Sequence, residues 1–265
     1  MNGSHGAAGA LPNNLTLDVQ AYEPARRHEA RYPTLTAEWE TQVHDLRASI
    51  TRACPNCTAR TLCPRCVRTF GWYLRLAAAN VPVKYWPLEI ESTLITDPDA
   101  VAFARRAIEN IEAVIGNGLG VATFGANGCG KTTLCAYILK AALRRGFAGY
   151  FLIMESLLAL VKAGFDEVHL RETLRRIRNV DILVLDDLGK EYTARTGFVE
   201  AQVDELFRHR DSMGLSTLFS TNLTGPACEE KYGPALRSLW SGSVEMLLIR
   251  GRDIRPSVNA WRVLK

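Results

Sequence analysis

Eight consecutive residues constrain this chain more than any other feature. Gly125-Ala126-Asn127-Gly128-Cys129-Gly130-Lys131-Thr132 follows an apolar stretch at 121–124 and opens a helical pattern over 131–145. A Gly-x-x-x-x-Gly-Lys-Thr run between a strand and a helix is built to hold phosphate. Its glycines let backbone N–H groups turn toward anionic oxygens, and the helix amino end adds partial positive charge. Lys131 is expected to reach the β- and γ-phosphates, and the Thr132 hydroxyl to serve a Mg2+ ion. Residues 125–133, Thr133 included, form the expected nucleotide-binding set. A chance glycine-rich turn would not need the strand before it and the helix after it.

A second segment supplies acids. Asp181-Ile-Leu-Val-Leu-Asp186-Asp187 reads as a buried strand that delivers two carboxylates at its carboxyl end, where α/β sheets place ligands. Asp186 is expected to hold Mg2+, directly or through water. Asp187 is placed to orient or deprotonate an attacking water, with Glu191 close enough in sequence to compete for that role. A third strand, Leu218-Phe-Ser-Thr-Asn222, ends in polar residues, and Asn222 is positioned either to bond the γ-phosphate or to form a polar turn.

The rest of the downstream chain alternates strand and helix patterns. Helices are expected at 97–115, 155–163, 169–178, 198–213 and 226–240, and strands at 150–153, 182–185, 216–220 and 244–249. Such alternation implies an α/β fold with a parallel sheet covered on both faces. Upstream, residues 1–31 read as a flexible tail and 32–79 as a small helical and cysteine-bearing module. Residues 80–96, interrupted by Pro82 and Pro87, read as a linker. Residues 97–265 form the main domain. With 47% hydrophobic and 23% charged residues the chain can bury a core. No run approaches the roughly 18 apolar residues of a membrane span, and the first residues lack an apolar leader, so a cytoplasmic location is expected.

Four of the seven cysteines fall at Cys54, Cys57, Cys63 and Cys66. Two Cys-Pro-x-Cys knuckles can each present two thiolates, and together they fit a tetrahedral site for structural Zn2+. An iron–sulfur cluster, paired disulfides and unligated thiols are the alternatives. Cys129, Cys135 and Cys228 are isolated and read as packing residues. The formal net charge is only +4, yet Arg47 to Lys84 carries seven basic residues and no acidic one. With Phe70, Trp72 and Tyr73 alongside, that segment suits single-stranded nucleic acid or an acidic protein surface. An equal alternative is that the aromatics serve only as the module's own core.

Four segments carry a family resemblance: Asn80-Val-Pro-Val-Lys-Tyr85, residues 125–134, residues 182–191 and residues 215–223. Over about 79–254 the chain resembles the AAA+ ATPases of the bacterial replicative helicase loaders, the DnaC and DnaI type, with the IstB-type transposition ATPases as close relatives. The resemblance implies a P-loop AAA+ three-layer parallel-sheet core without a full C-terminal lid. It makes Asn222 the sensor-1 residue. Arg237 becomes the arginine donated to a neighbour's γ-phosphate, although the family usually has that arginine farther from the glycine, where this chain has Leu239. Arg255 is the second candidate. The resemblance further implies ATP, Mg2+ and Zn2+ as cofactors, and hydrolysis of ATP to ADP and phosphate. The implied partners are a hexameric replicative DNA helicase and single-stranded DNA, with a homo-oligomer in the ATP- or helicase-bound state and no membrane. DnaI-type loaders carry an amino-terminal zinc module, as this chain would. The alternatives are a transposon-targeting AAA+ ATPase, a small-molecule kinase and a scaffold that binds nucleotide without hydrolysing it. In kinases with a four-cysteine lid, that lid follows the phosphate loop; here the cysteines precede it.

Overall fold

The structure, a computed structural model, describes residues 37–58, 61–157, 168–189 and 198–255. The tail expected at 1–31 and most of the helix expected at 155–163 lie outside these residues. Among the described residues five strands make one parallel sheet: β1 Gly120–Gly125, β2 Gly149–Ile153, β3 Ile182–Leu188, β4 Ser216–Thr221 and β5 Val244–Ile249, in the order β2-β3-β4-β1-β5. Side chains alternate across a strand. Ile182, Val184 and Leu218 therefore enter one core, while Leu183, Leu185 and Phe219 enter another on the opposite face. The near-continuous apolar run of β3 is the signature of a strand buried on both sides.

Helix α1 (Ala37–Ala53) and α2 (Pro64–Ala78) precede the sheet. Then follow α3 (Pro98–Glu109), α4 (Ile111–Gly116), α5 (Lys131–Arg144), α6 (Val168–Asn179), α7 (Phe198–Ser212), α8 (Gly225–Tyr232) and α9 (Pro234–Ser243). The single helix expected over 97–115 is two, divided at Asn110, whose backbone (φ −108°, ψ 27°) leaves the helical region. The helix expected over 226–240 is also two. Gly233 adopts φ 86°, which glycine reaches without a Cβ penalty, and Pro234 then starts the next helix with its φ already fixed.

The largest correction concerns residues 80–96. They form no free linker. Val81, Tyr85, Trp86, Ile90 and Ile95 are buried, and two short 3-10 turns, Val83–Tyr85 and Ile90–Ser92, carry the backbone. Ala79 and Asn80 dock on the outer edge of β2: Phe151 N donates to Ala79 O at 2.8 Å, and Asn80 Nδ2 to Phe151 O at 2.9 Å. The Lys140 ammonium of α5 is 1% exposed and donates to the carbonyls of Tyr85, Trp86 and Leu88 while pairing with Glu89 at 3.1 Å. A buried ammonium is tolerable only when its donors are used in this way. Burial still pulls its pKa down to about 8, against the opposing pull of Glu89.

Helix α2 is joined as firmly. Arg75 Nη1 donates to Leu143 O at 2.6 Å, and the Arg144 guanidinium stands 5.0 Å from the Trp72 ring. Cys66, Trp72, Tyr73 and Leu76 share one hydrophobic core with Leu134 and Ile138 of α5. Trp72 and Tyr73 are buried in this shared core, not in one of the module's own, and Phe70 is half-buried against it.

Candidate functional site

The loop between β1 and α5 closes around its own lysine. Lys131 Nζ donates to Gly125 O and Ala126 O, both at 2.8 Å, and the residue is 7% exposed. Gly128 and Gly130 have φ of 79° and 106°, and a Cβ on either would collide with its surroundings: the Asp253 carboxylate at Gly128, Ile95 at Gly130. Close approach and left-handed backbone both require glycine here. Residues beyond β5 brace the loop, since Ile254 N donates to Gly128 O at 3.0 Å. Ala126 and Asn127 are placed at the tip of the loop, Cys129 is buried, and Thr132 and Thr133 are half-buried.

At the end of the loop, three side chains from three elements meet at one oxygen. Thr132 Oγ1 donates to Asp186 Oδ1 at 2.7 Å, and Ser220 Oγ donates to the same atom at 2.5 Å. Ser220 Oγ also accepts from Asp187 N at 2.9 Å. Burial pushes the Asp186 carboxyl above its ordinary range, the donations from Ser220 and Thr132 oppose that push, and the neighbouring Asp187 charge adds to it.

Asp187 has φ 61°, in the left-handed region that non-glycine residues seldom occupy. The β3–β4 register shifts between Leu185 and Leu188 at this point. The expected strand ends at Leu185, whereas β3 resumes pairing at Leu188 beside Thr221. Thr221 Oγ1 donates to Leu188 O at 2.7 Å, and Asn222 follows directly, exposed, at the carboxyl end of β4. Lys131, Thr132, Asp186, Asp187 and Asn222 thus gather at one end of the sheet. Arg237 sits apart on α9, exposed and paired with Glu229 of α8. Arg255 is exposed, with its backbone N on Asp253 Oδ1 at 2.9 Å. Glu191 lies outside the described residues.

Two participants have no clear signal in the sequence. Ser220 is visible there only as the inward serine of Ser-Thr-Asn. Asp97 reads as a helix cap, and it is one: its Oδ1 accepts from Asp99 N and Ala100 N. Its Oδ2 also accepts from Arg250 N at 2.6 Å, which ties the segment after β5 to the start of α3. That backbone N–H from Arg250 is the main reason the Asp97 carboxyl titrates below its ordinary range.

The second site is the cysteine set. The sulfur atoms of Cys54, Cys57, Cys63 and Cys66 all lie within 4.8 Å of one another, and those of Cys54 and Cys63 are 4.0 Å apart. A tetrahedral tetrathiolate zinc centre with bonds of about 2.3 Å needs sulfur separations of about 3.8 Å, so the set fits one ion with little movement. Cys63 N donates to Cys57 Sγ at 3.2 Å, and Cys63 caps α2, whose first turn carries Cys66. Cys129, Cys135 and Cys228 are all buried, as packing residues should be.

A parallel sheet with a phosphate loop at the end of β1 and an acidic pair at the end of β3 defines a P-loop nucleotide-binding protein of the AAA+ class. The chain belongs to the IstB-like ATP binding protein family, which matches residues 34–212. It is 26% identical over 133 residues to the replicative helicase loader DnaI of Bacillus subtilis (strain 168), covering 49% of this chain and 42% of that one. It is 25% identical over 134 residues to an insertion sequence IS21-like putative ATP-binding protein of Bacteroides fragilis, covering 50% of this chain and 48% of that one. The matches thus span less than half of either relative. The fold is also that of the DnaC helicase loader, with a TM-score of 0.57 at 24% identity over 64% of this chain and 100% of that one. Among the described residues no helix is long and apolar enough to cross a membrane.

Proposed function

We propose that the protein is an ATP-dependent loader of the replicative DNA helicase. The observation that supports nucleotide chemistry most directly is the convergence of Thr132 and Ser220 on Asp186, which sets a hydroxyl of the phosphate loop against a strand-end carboxylate. In this reading Lys131 leaves the loop carbonyls for the β- and γ-phosphates, and Thr132 and Asp186 hold Mg2+. Asp187 takes the proton of the attacking water, Asn222 contacts the γ-phosphate, and Arg237 of a neighbouring copy completes the site in trans. Mg2+ would neutralise charge on the phosphates as the terminal one is transferred to water.

The four-cysteine unit favours the loader over the transposition reading, because an amino-terminal zinc module accompanies the DnaI type of loader. We assign it one Zn2+ ion and the task of gripping the helicase. The ATPase core would assemble on single-stranded DNA when ATP is bound, and hydrolysis would release the helicase. The transposition alternative keeps the same ATPase and rests on the similarity to the IS21-like protein. Co-purification of the tagged chain with a replicative helicase and with a transposase separates the two. Retention of the helicase is the expected outcome, and retention of the transposase alone would overturn the loader reading.

A further inference from the structure

Beyond β5 the chain crosses the phosphate loop as a strap anchored at two points. Arg250 N donates to Asp97 Oδ2 at 2.6 Å, and Ile254 N donates to Gly128 O at 3.0 Å. The Ile254 side chain is buried beside Gly130, with its Cδ1 3.5 Å from where a Cβ on that glycine would stand. Between the anchors, the Asp253 carboxylate is laid directly on Gly128. A Cβ there would fall 1.9 Å from Oδ1, 2.1 Å from Cγ and 2.6 Å from Oδ2. The carboxylate therefore fills the space that any side chain at position 128 would need, against the backbone of the loop.

That placement is electrostatically adverse. The loop N–H groups, Lys131 and the amino end of α5 favour an anion, whereas a carboxylate at Gly128 has the same sign as the phosphates the loop would hold. Charges this close are poorly screened, since the Debye length is about 10 Å at 0.1 M salt. The Arg255 guanidinium stands 3.9 Å from Asp253 Oδ1, but both side chains are exposed, and a solvated pair of that length offsets little of the charge. Asp253 Oδ1 also accepts from Arg255 N at 2.9 Å, a bond that aims the carboxylate and leaves its charge in place.

We infer, on the nucleotide reading given above, that Asp253 is a specificity-determining residue of the phosphate loop: its carboxylate repels phosphate and lowers affinity most for the ligand that brings the most charge. ATP is therefore disfavoured more than ADP, which narrows the difference between the two at the site and speeds their exchange. Two backbone hydrogen bonds hold the strap that carries Asp253, so the repulsion is built into the fold around the loop and is invisible in the loop's own residues.

The test removes the charge and keeps the shape. ATP and ADP binding are titrated with Mg2+ for the wild type and Asp253→Asn, at about 0.05 M and about 0.5 M salt. Asparagine retains an oxygen for the Arg255 N–H. At low salt the variant should bind ATP about fivefold tighter and ADP about twofold tighter, the scale of one charge removed several ångströms away. Both gains should shrink at high salt. Asp253→Ser, which lacks the charge on a smaller side chain, should reproduce them. Unchanged or weaker ATP binding in either variant, equal gains for ATP and ADP, or a gain indifferent to salt overturns the role of Asp253 and leaves the nucleotide reading standing. A wild type and variants that all bind no nucleotide overturn both.

Discussion

The Ser220 hydroxyl lies 2.5 Å from Asp186 Oδ1 and 2.9 Å from the amide of Asp187, so one side chain of β4 serves both consecutive acids of β3. Ser220 is fully buried, and Asp186 nearly so. At the register shift in β3, the serine oxygen accepts from the Asp187 N–H. The irregularity that presents Asp187 and the bond that steadies Asp186 therefore share one atom.

Ser220→Ala removes a donor from a buried carboxylate and an acceptor from the Asp187 N–H. It should lower unfolding free energy by about 2 kcal/mol, the cost of losing a hydrogen bond to a charged group. Urea unfolding of the nucleotide-free protein measures this. Mg2+-dependent phosphate release should fall with it, and metal-free ATP binding should not.

Asp187→Asn should keep the fold, because asparagine tolerates the left-handed backbone that Asp187 adopts. Loss of a general base typically costs about 100-fold to 10,000-fold in rate. ATP binding retained with phosphate release cut to that degree supports the assigned role. An unchanged release rate would shift the protein toward a nucleotide-dependent scaffold.

Asp97→Ala should destabilise the chain by about 2 kcal/mol at neutral pH, since it removes a helix cap together with the tie to Arg250. The pH dependence has a definite sign. A carboxyl whose folded pKa is depressed adds stability above its unfolded value of 3.8 and loses it as pH falls through the folded one. The gap between wild type and variant should therefore be full at neutral pH and narrow as pH is taken below 3.8. Chemical denaturation at a series of pH values reads it directly.

Zinc removal should be felt by the whole molecule. Cys66 and the rings of Trp72 and Tyr73 share their core with α5, and structural Zn2+ typically supplies on the order of 10 kcal/mol of folding free energy to its module. Cys66→Ser, or a strong chelator, should abolish bound zinc and lower the melting temperature of the nucleotide-binding core. Two separate transitions, with the core melting unchanged, would show the units to be independent.

Elements whose residues announce themselves by local pattern are legible in the sequence. The phosphate loop, the acidic strand, the spacing of the four cysteines and β5 at Val244–Ile249 all fall where expected. Breaks at Asn110 and Gly233 are hidden because each interrupts an otherwise continuous helical period with one residue's backbone. Residues 80–96 mislead for a different reason. Two prolines and little periodicity read as a linker, but what holds the segment is Lys140, a lysine whose sequence context suggests only a solvated helix face. Its burial depends on carbonyls more than fifty positions away, a relationship that no local pattern encodes. Ser220 is of the same kind: it acts through an oxygen that reaches partners on another element.

The most direct test of the loader account is the transfer of a replicative helicase onto circular single-stranded DNA. Helicase pre-bound to the chain is mixed with DNA and ATP, and both free loader and DNA-bound helicase are followed. The account predicts that the wild type delivers the helicase and departs, while Asp187→Asn binds ATP and helicase and stays on. Equal departure of both proteins, or delivery that proceeds without ATP, would contradict it.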